Sequence, residues 1–337
     1  MWGPLMNGTS VLYDGSPAHP GIHFMWELAS RTNTTLFATS PTFLQIVKKQ
    51  KFVPSENFNF INLKTVMLVG SPATPDSFAW VYQNVKDDIW VASQSGGTEF
   101  CSGLLAGAPI LPVLAGEIQA RGLGTDAQAF DDEGNEIVGE IGELVICKPL
   151  PSMPLYLWGD KDGSKYRKTY FEKFPNVWTH GDRVSFNVNG GCFIYGRSDA
   201  TLNRFGVRIG TAEIYRTLEN FEEIADSLIV CIEEEDGGYY MPLFISLAAD
   251  IKLDKNLFSK IKEKLKFERS PRHVPDEIIV VDSIPSTLTG KKLEVPVRKL
   301  LLGEPLASVA SKDAIKRPEA LEWFAEFAKS RRVQINR

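Results

Sequence analysis

Between residues 10 and 99, short β-rich runs alternate with helical ones, and this alternation narrows the possible folds more than any other feature of the chain. SVLYD (10–14), TLFATS (35–40), TVMLVGS (65–71) and IWVASQS (89–95) read as strands, and segments 22–30, 41–49 and 75–85 read as helices. Strands separated in this way pair in parallel, because a parallel pair needs a crossover long enough to hold a helix. Two helix starts are signalled chemically. Ser40-Pro41 and Thr74-Pro75 each place a capping hydroxyl before a proline at the first helical position, where its missing N–H costs nothing. Ligands of such sheets gather beyond the carboxyl ends of the strands, where Gly70-Ser71-Pro72 and Ser95-Gly96-Gly97-Thr98-Glu99 fall.

From residue 111 to 195 the helical period fades. Short strands separated by Gly, Asp and Asn predict a small barrel or a distorted sheet, with a hairpin of 184–186 and 192–195 turning at Asn189-Gly190-Gly191. After Asp199 come a helix over 212–221, strands 227–233 and 241–248 around Asp236-Gly237-Gly238, a helix over 255–268, a strand at 277–282 and a terminal helical region beginning at 293. The expected fold class is α/β plus α+β. Three domains are expected: a partial parallel α/β domain (1–110), a β-rich, barrel-like subdomain (111–198) and an α+β domain (199–337) joined at Asp199.

Composition sets outer limits. With 337 residues, 43% of them hydrophobic, there is enough material for two or three cores. A net charge of -5 gives no broad basic face, so nucleic acid is not an expected partner and phosphate recognition has to be local. No apolar run approaches the roughly 20 residues of a membrane helix, and no secretory leader pattern opens the sequence, so no membrane partner is expected and the cytosol is the expected compartment. Cys101, Cys147, Cys192 and Cys231 are scattered, without a C-x-x-C pair, and are expected to be reduced core residues.

The run HGDRVSFNVNGGCFIYGRSDATLNRFGVRIGTAEIY (180–215) carries the densest chemistry. Asp182 lies beside a turn, where a carboxylate can accept two ribose hydroxyls. SGGTE (95–99) sets small residues, a hydroxyl and a carboxylate at a strand end, a combination suited to phosphate oxygens and a metal ion. Thr289-Gly290-Lys291 places a cation on a flexible loop. With GELVI (142–146), GRSD (196–199) and GVRIGTAEIY (206–215), these motifs resemble, in order and spacing, the adenylate-forming acyl-CoA ligases. Longer stretches narrow the resemblance to the acetoacetate–CoA ligase family: LPVLAGEIQARGLG (111–124), PSMPLYLWGDKDGSKYRKTYFEKFPNVWTHGD (151–182) and SPRHVPDEI (270–278). Nearly the whole chain is covered, matching the C-terminal half to two-thirds of such proteins.

The resemblance implies a ligase that joins acetoacetate to coenzyme A through an acyl-adenylate, using ATP and magnesium, with only small-molecule partners. It implies catalytic roles for Lys291, Arg208 and Thr98. Gly70, Ser71, Pro72, Gly97, Thr98, Asp182, Arg197 and Arg208 would contact ATP or AMP, and Glu99 would bind magnesium. Gly206 would lie along the pantetheine arm of coenzyme A, and Asp199 would be the hinge of a mobile C-terminal domain. No histidine, including His180 and His273, is assigned a role.

Two departures stand out. Family members carry, ahead of the region matched here, a Ser/Thr/Gly-rich loop ending in Lys that wraps the ATP phosphates. No such loop is found in this chain, so impaired activity is expected of it as written. The alternative expectation is a non-catalytic partial protein acting as a nucleotide-binding or regulatory module. The second departure is Arg204-Phe205, which replaces a Pro-Gly pair before the G-x-R-I motif. Arg204 is expected to be an exposed side chain, with a coenzyme A phosphate as its other candidate contact.

Overall fold

Both hydroxyl–proline pairs start helices in the computed structural model, which describes residues 7–204, 207–234, 238–249, 251, 254–288, 290–310, 313 and 315–335. The chain divides into two units, Met1–Gly122 and Leu123–Arg337. In the first, α1 (Phe24–Arg31), β1 (Leu36–Thr39), α2 (Pro41–Lys49), α3 (Pro54–Asn57), β2 (Thr65–Val69), α4 (Pro75–Asn84), β3 (Trp90–Gly97), β4 (Ser102–Ala106) and β5 (Ala120–Arg121) follow in order. Ser40 Oγ accepts the Phe43 N–H at 3.1 Å, and Thr74 Oγ1 accepts that of Ser77 at 3.3 Å. Each hydroxyl satisfies a donor that the first helical turn would otherwise leave free.

The sheet order is β1-β2-β3-β4-β5, parallel from β1 to β3 and antiparallel beyond. Buried Trp26 packs on Phe37, with ring centroids 4.7 Å apart, and on Phe43, Phe60 and Trp80, so α1, α2 and α4 share one core with the strands. Residues 10–13, expected as a strand, form none. Leu12 is 90% exposed, and β propensity without a neighbouring strand to pair with does not make a ladder. The expected boundary at 110/111 falls short of β5, which still pairs with β4.

The second unit begins with β6 (Ala127–Phe130), β7 (Gly142–Ile146), α5 (Ser164–Phe171), β8 (Trp178–Phe186) and β9 (Cys192–Arg197). These strands form an antiparallel sheet in the order β6-β7-β8-β9. Of the barrel or distorted sheet expected, the described residues form the second, an open, bulged sheet with β6 and β9 as its edges. The β8–β9 hairpin turns as the Asn-Gly-Gly signal predicts: Asn187 N–H donates to Gly191 O at 2.8 Å, and Gly190 has φ +90°.

Then come β10 (Leu202–Arg204), β11 (Val207–Ile209), α6 (Thr211–Leu218), β12 (Ile224–Ile229), β13 (Ile232–Glu233), β14 (Tyr239–Tyr240), β15 (Pro242–Leu247), α7 (Lys255–Glu268), a 3₁₀ turn (Pro271–His273), β16 (Glu277–Val280), α8 (Glu294–Leu302), α9 (Leu306–Val309) and α10 (Pro318–Ile335). The expected strand 227–233 is two strands, and Asp236-Gly237 of the expected turn lie outside the described residues. β15 is the central strand of the sheet β12-β15-β16, buried on both faces. Its period of two splits the core. Leu243 and Ile245 pack with Ile214, Leu218, Ile261 and Leu265 of α6 and α7, while Phe244 packs with Val297, Leu300, Leu321 and Phe324 of α8 and α10. Among the described residues no helix is long and apolar enough to cross a membrane.

Candidate functional site

In the first unit β2 and β3 are adjacent and parallel, so Gly70-Ser71-Pro72 and Thr98-Glu99 leave the same edge of the sheet. Gly70 has φ +97° and open space where a Cβ would stand, and Ser71 Oγ lies 3.3 Å from Thr42 Oγ1. Gly96 is needed for packing, because a Cβ there would sit 2.2 Å from Ser102 O on β4. Gly97 also pairs with Ser102. A tight turn follows: Phe100 N–H donates to Gly97 O at 3.2 Å and Cys101 N–H to Thr98 O at 3.3 Å. Phe100 is fully buried and anchors the turn, which leaves Thr98, Glu99 and Cys101 exposed, so Cys101 is not the core residue expected.

In the second unit Asp182 on β8 pairs across the ladder with Arg197 on β9. The Arg197 guanidinium binds three groups at once: Nη1 donates to His180 O at 3.2 Å and faces Asp182 Oδ1 at 3.5 Å, and Nε donates to Asp199 Oδ1 at 3.2 Å. Gly181 makes room for it. That residue has φ +83°, and a Cβ would lie 2.6 Å from Arg197 Nη2. The hinge candidate Asp199 is therefore tied to the same arginine as the ribose candidate Asp182. Burial pushes the Asp182 carboxyl above its ordinary value, opposed by His180, Arg197 and Lys291, while Glu143 pushes it further up. Burial pulls the Arg197 guanidinium down, but Asp199, Asp182 and Glu143 more than reverse this.

Lys291 is exposed, yet its charge is felt at Asp182. Its loop is closed by Thr287, whose N–H donates to Lys291 O at 2.8 Å and whose Oγ1 accepts the Lys291 N–H at 3.1 Å. Gly290 turns the chain with φ +85°. Arg208 is placed by its backbone on β11, opposite Asn203. Gly206 and Thr289 lie outside the described residues. Arg204 is not the exposed side chain expected: its guanidinium binds Asp276 Oδ1 and Val274 O, and it is 13% exposed. A planar fork that meets a carboxylate and a carbonyl on one neighbouring segment is held there rather than solvated.

Sequence reasoning missed the residues supporting this arrangement. Glu143, 3% exposed on β7, accepts from Ser198 Oγ at 2.6 Å and pairs with Lys173 Nζ at 3.3 Å. The signal was a carboxylate inside GELVI, a strand buried at every position. Buried charges need partners, and through Ser198 the Glu143 carboxylate holds the connector between Arg197 and Asp199. His180, given no role, is buried with Nε2 3.7 Å from Asp182 Oδ2.

The family model for AMP-binding enzymes matches residues 1–157. An acetoacetyl-coenzyme A synthetase of Rhizobium meliloti (strain 1021) is 42% identical over 96% of this chain and 50% of its own length. The structure of an acetoacetyl-CoA synthetase from Streptomyces lividans superposes with a TM-score of 0.89 at 44% identity, covering 97% of this chain and 50% of that one. An anthranilate CoA ligase solved with anthranoyl-AMP shares the fold, with a TM-score of 0.73 at 19% identity over 90% of this chain and 56% of its own. The chain spans about half the length of the curated relatives it matches. Over that half, the sequence and the fold identify it as a homologue of the acetoacetyl-CoA synthetases, with its first 157 residues matching the AMP-binding enzymes.

Proposed function

We propose that the chain serves the ATP-dependent joining of acetoacetate to coenzyme A. A carboxylate cannot be attacked directly by a thiol at neutral pH, because it is anionic and lacks a leaving group. Its oxygen instead attacks the α-phosphate of ATP, the bond to pyrophosphate breaks, and an acyl-adenylate forms. The coenzyme A thiol then attacks the acyl carbon, and AMP leaves with the bonding electron pair.

Each step builds negative charge that fixed donors and cations must meet. In this reading Lys291 stabilises the adenylation step, joined by Arg208. Asp182 accepts the ribose hydroxyls, with Arg197 holding its carboxylate in place. Gly70, Ser71 and Pro72 serve the adenine, and Gly97 and Thr98 serve the phosphates. Among the described residues no three metal-ligating side chains converge. A lone exposed carboxylate nevertheless suits magnesium, which takes one or two protein oxygens and completes its shell with phosphate and water. Glu99 would be that ligand, and the ion would neutralise phosphate charge. Asp199 would be the hinge of a C-terminal domain spanning 199–337, and Gly206, lacking a Cβ, would allow close approach of the pantetheine arm. The separate cores built only from residues beyond 201 support that division.

The observation that carries the reading is Lys291, an exposed cation without an acidic partner within ion-pair range among the described residues, whose charge nonetheless reaches the partly desolvated Asp182. The test is acetoacetate-dependent exchange of labelled pyrophosphate into ATP. Lys291→Ala should lower exchange by about 100-fold or more and leave AMP binding by calorimetry in place. Exchange undiminished in that variant would refute the assignment, and exchange equally rapid with acetate or propionate would refute the acyl preference.

A further inference from the structure

Lys291 and Lys292 are neighbours with opposite fates. Lys292 is drawn inward: its ammonium pairs with Asp226 Oδ1, donates to Ser227 O at 2.7 Å and lies 4.9 Å from the centroid of the Tyr215 ring. Tyr215 is itself fixed, since its hydroxyl donates to Glu294 Oε1 at 3.1 Å and accepts the Ile229 N–H at 3.2 Å. The backbone at Lys292 bridges Ser286, and the Leu293 N–H donates to Pro285 O at 3.1 Å, so the loop is closed at its base. In an extended stretch successive side chains point to opposite faces. Pinning the side chain of Lys292 inward therefore turns Lys291 outward, on the side where its charge reaches Asp182.

We infer that Lys292 is a positioning residue, which through Asp226 and the Tyr215 ring sets the direction of the Lys291 ammonium. The inference rests on the adenylation role proposed for Lys291, but its geometry can be tested without nucleotide. The charged groups that act most strongly on Asp182 are His180, Arg197, Lys291 and Glu143. An effect of Lys292 that passes through Lys291 would show as non-additivity in the double variant, whereas a direct charge effect would add.

The experiment is a carboxyl ¹³C NMR titration of Asp182 in the full chain. Lys291→Met should raise the Asp182 midpoint, with a change of about twofold in its proton dissociation constant, as for one unit charge roughly 10 Å away across solvent. Lys292→Met should raise it comparably, the double variant should add nothing further, and Lys292→Arg should restore the wild-type midpoint. Asp226→Asn is the milder second variant should Lys292→Met unfold, and it should also raise the midpoint. An unmoved midpoint in Lys292→Met or Asp226→Asn beside a shifted one in Lys291→Met would overturn the inference, as would additive shifts in the double variant. A midpoint unmoved even by Lys291→Met would overturn it at its premise. Failure of the nucleotide-site reading shows separately, as the absence of AMP binding in the wild type.

Discussion

Replacing Gly181 with alanine strikes the point where backbone geometry and site electrostatics meet. Two costs arise. The residue sits at φ +83°, and forcing an L side chain into that region costs about 1–2 kcal/mol. The new Cβ would also lie 2.6 Å from Arg197 Nη2 and 3.1 Å from its Cζ, so the guanidinium has to leave Asp182 and Asp199. The Arg197 side chain is 51% exposed, and solvent screening limits that second loss to about 1 kcal/mol. The total is about 2–3 kcal/mol. Gly124→Ala, in the same unit, is the control: φ is +77° and nothing lies within 4 Å of its Cβ, so it carries only the backbone cost. Urea unfolding should show Gly181→Ala exceeding Gly124→Ala by about 1 kcal/mol, with the excess vanishing when both are made in an Arg197→Ala background. AMP binding should weaken in Gly181→Ala and hold in Gly124→Ala. Equal losses of stability in the two variants, with AMP affinity unchanged in both, would refute the reasoning.

Three further outcomes follow from the same geometry. Gly96→Ala would press a methyl group against the Ser102 carbonyl, which is backbone and cannot swing aside, and should cost about 2–3 kcal/mol in thermal unfolding; a neutral result would show that the β3–β4 contact is not rigid. At Glu213 burial pushes the carboxyl up, but His273, the Gly210 N–H and Arg269 outweigh it and hold the carboxyl below its ordinary value. Its contribution is complete above the unfolded value and is lost as pH falls through the lower folded value, so Glu213→Gln should cost about 1 kcal/mol at pH 7 and flatten the acid limb; parallel acid limbs would contradict this. Asp182 has the opposite sign, and ribose hydroxyls favour its ionised form, so AMP binding should release protons near its raised midpoint. Calorimetric heats that are independent of buffer ionisation enthalpy, or a buffer dependence that survives Asp182→Asn, would exclude that linkage.

Local chemistry made much of the fold legible. The helix at Pro41–Lys49 and that at Lys255–Glu268 have the bounds expected from sequence, each with a capping side chain in place. Asp254 accepts the Leu257 N–H at 2.7 Å in the second, as Ser40 does for Phe43 in the first. Where pairing partners decide the structure, the sequence misled or left a choice open: 10–13 has strand-forming residues but no neighbouring strand, and the four strands after residue 123 form the distorted sheet and do not close a barrel. Asp182, Arg197 and Lys291 were singled out because they fall in the motifs that carry the family resemblance. Glu143 and Ser198 were not, because their contact spans β7 and the connector after β9, far apart in the chain. Arg204 was misread for the same reason, since its partners Val274 and Asp276 lie on a distant segment.

Environment, not residue type, separates the working groups from the structural ones. Asp182 and Glu213 are both carboxylates beside glycines, yet the first is lifted by burial and the second is held down by its hydrogen bonds. A carboxylate fully served by its own fold has nothing to gain from a ligand. Under the proposed role, Asp182, whose carboxylate burial disfavours, would gain stabilisation from ribose hydroxyls, and that difference would be available for binding. The two lysines divide in the same way: Lys292 is spent on Asp226 and the Tyr215 ring, and the exposed Lys291 has no acidic partner in ion-pair range among the described residues. In the proposed reading, pairing Lys292 with Asp226 inside the fold would keep Lys291, which has no acidic partner in ion-pair range among the described residues, available where negative charge would develop.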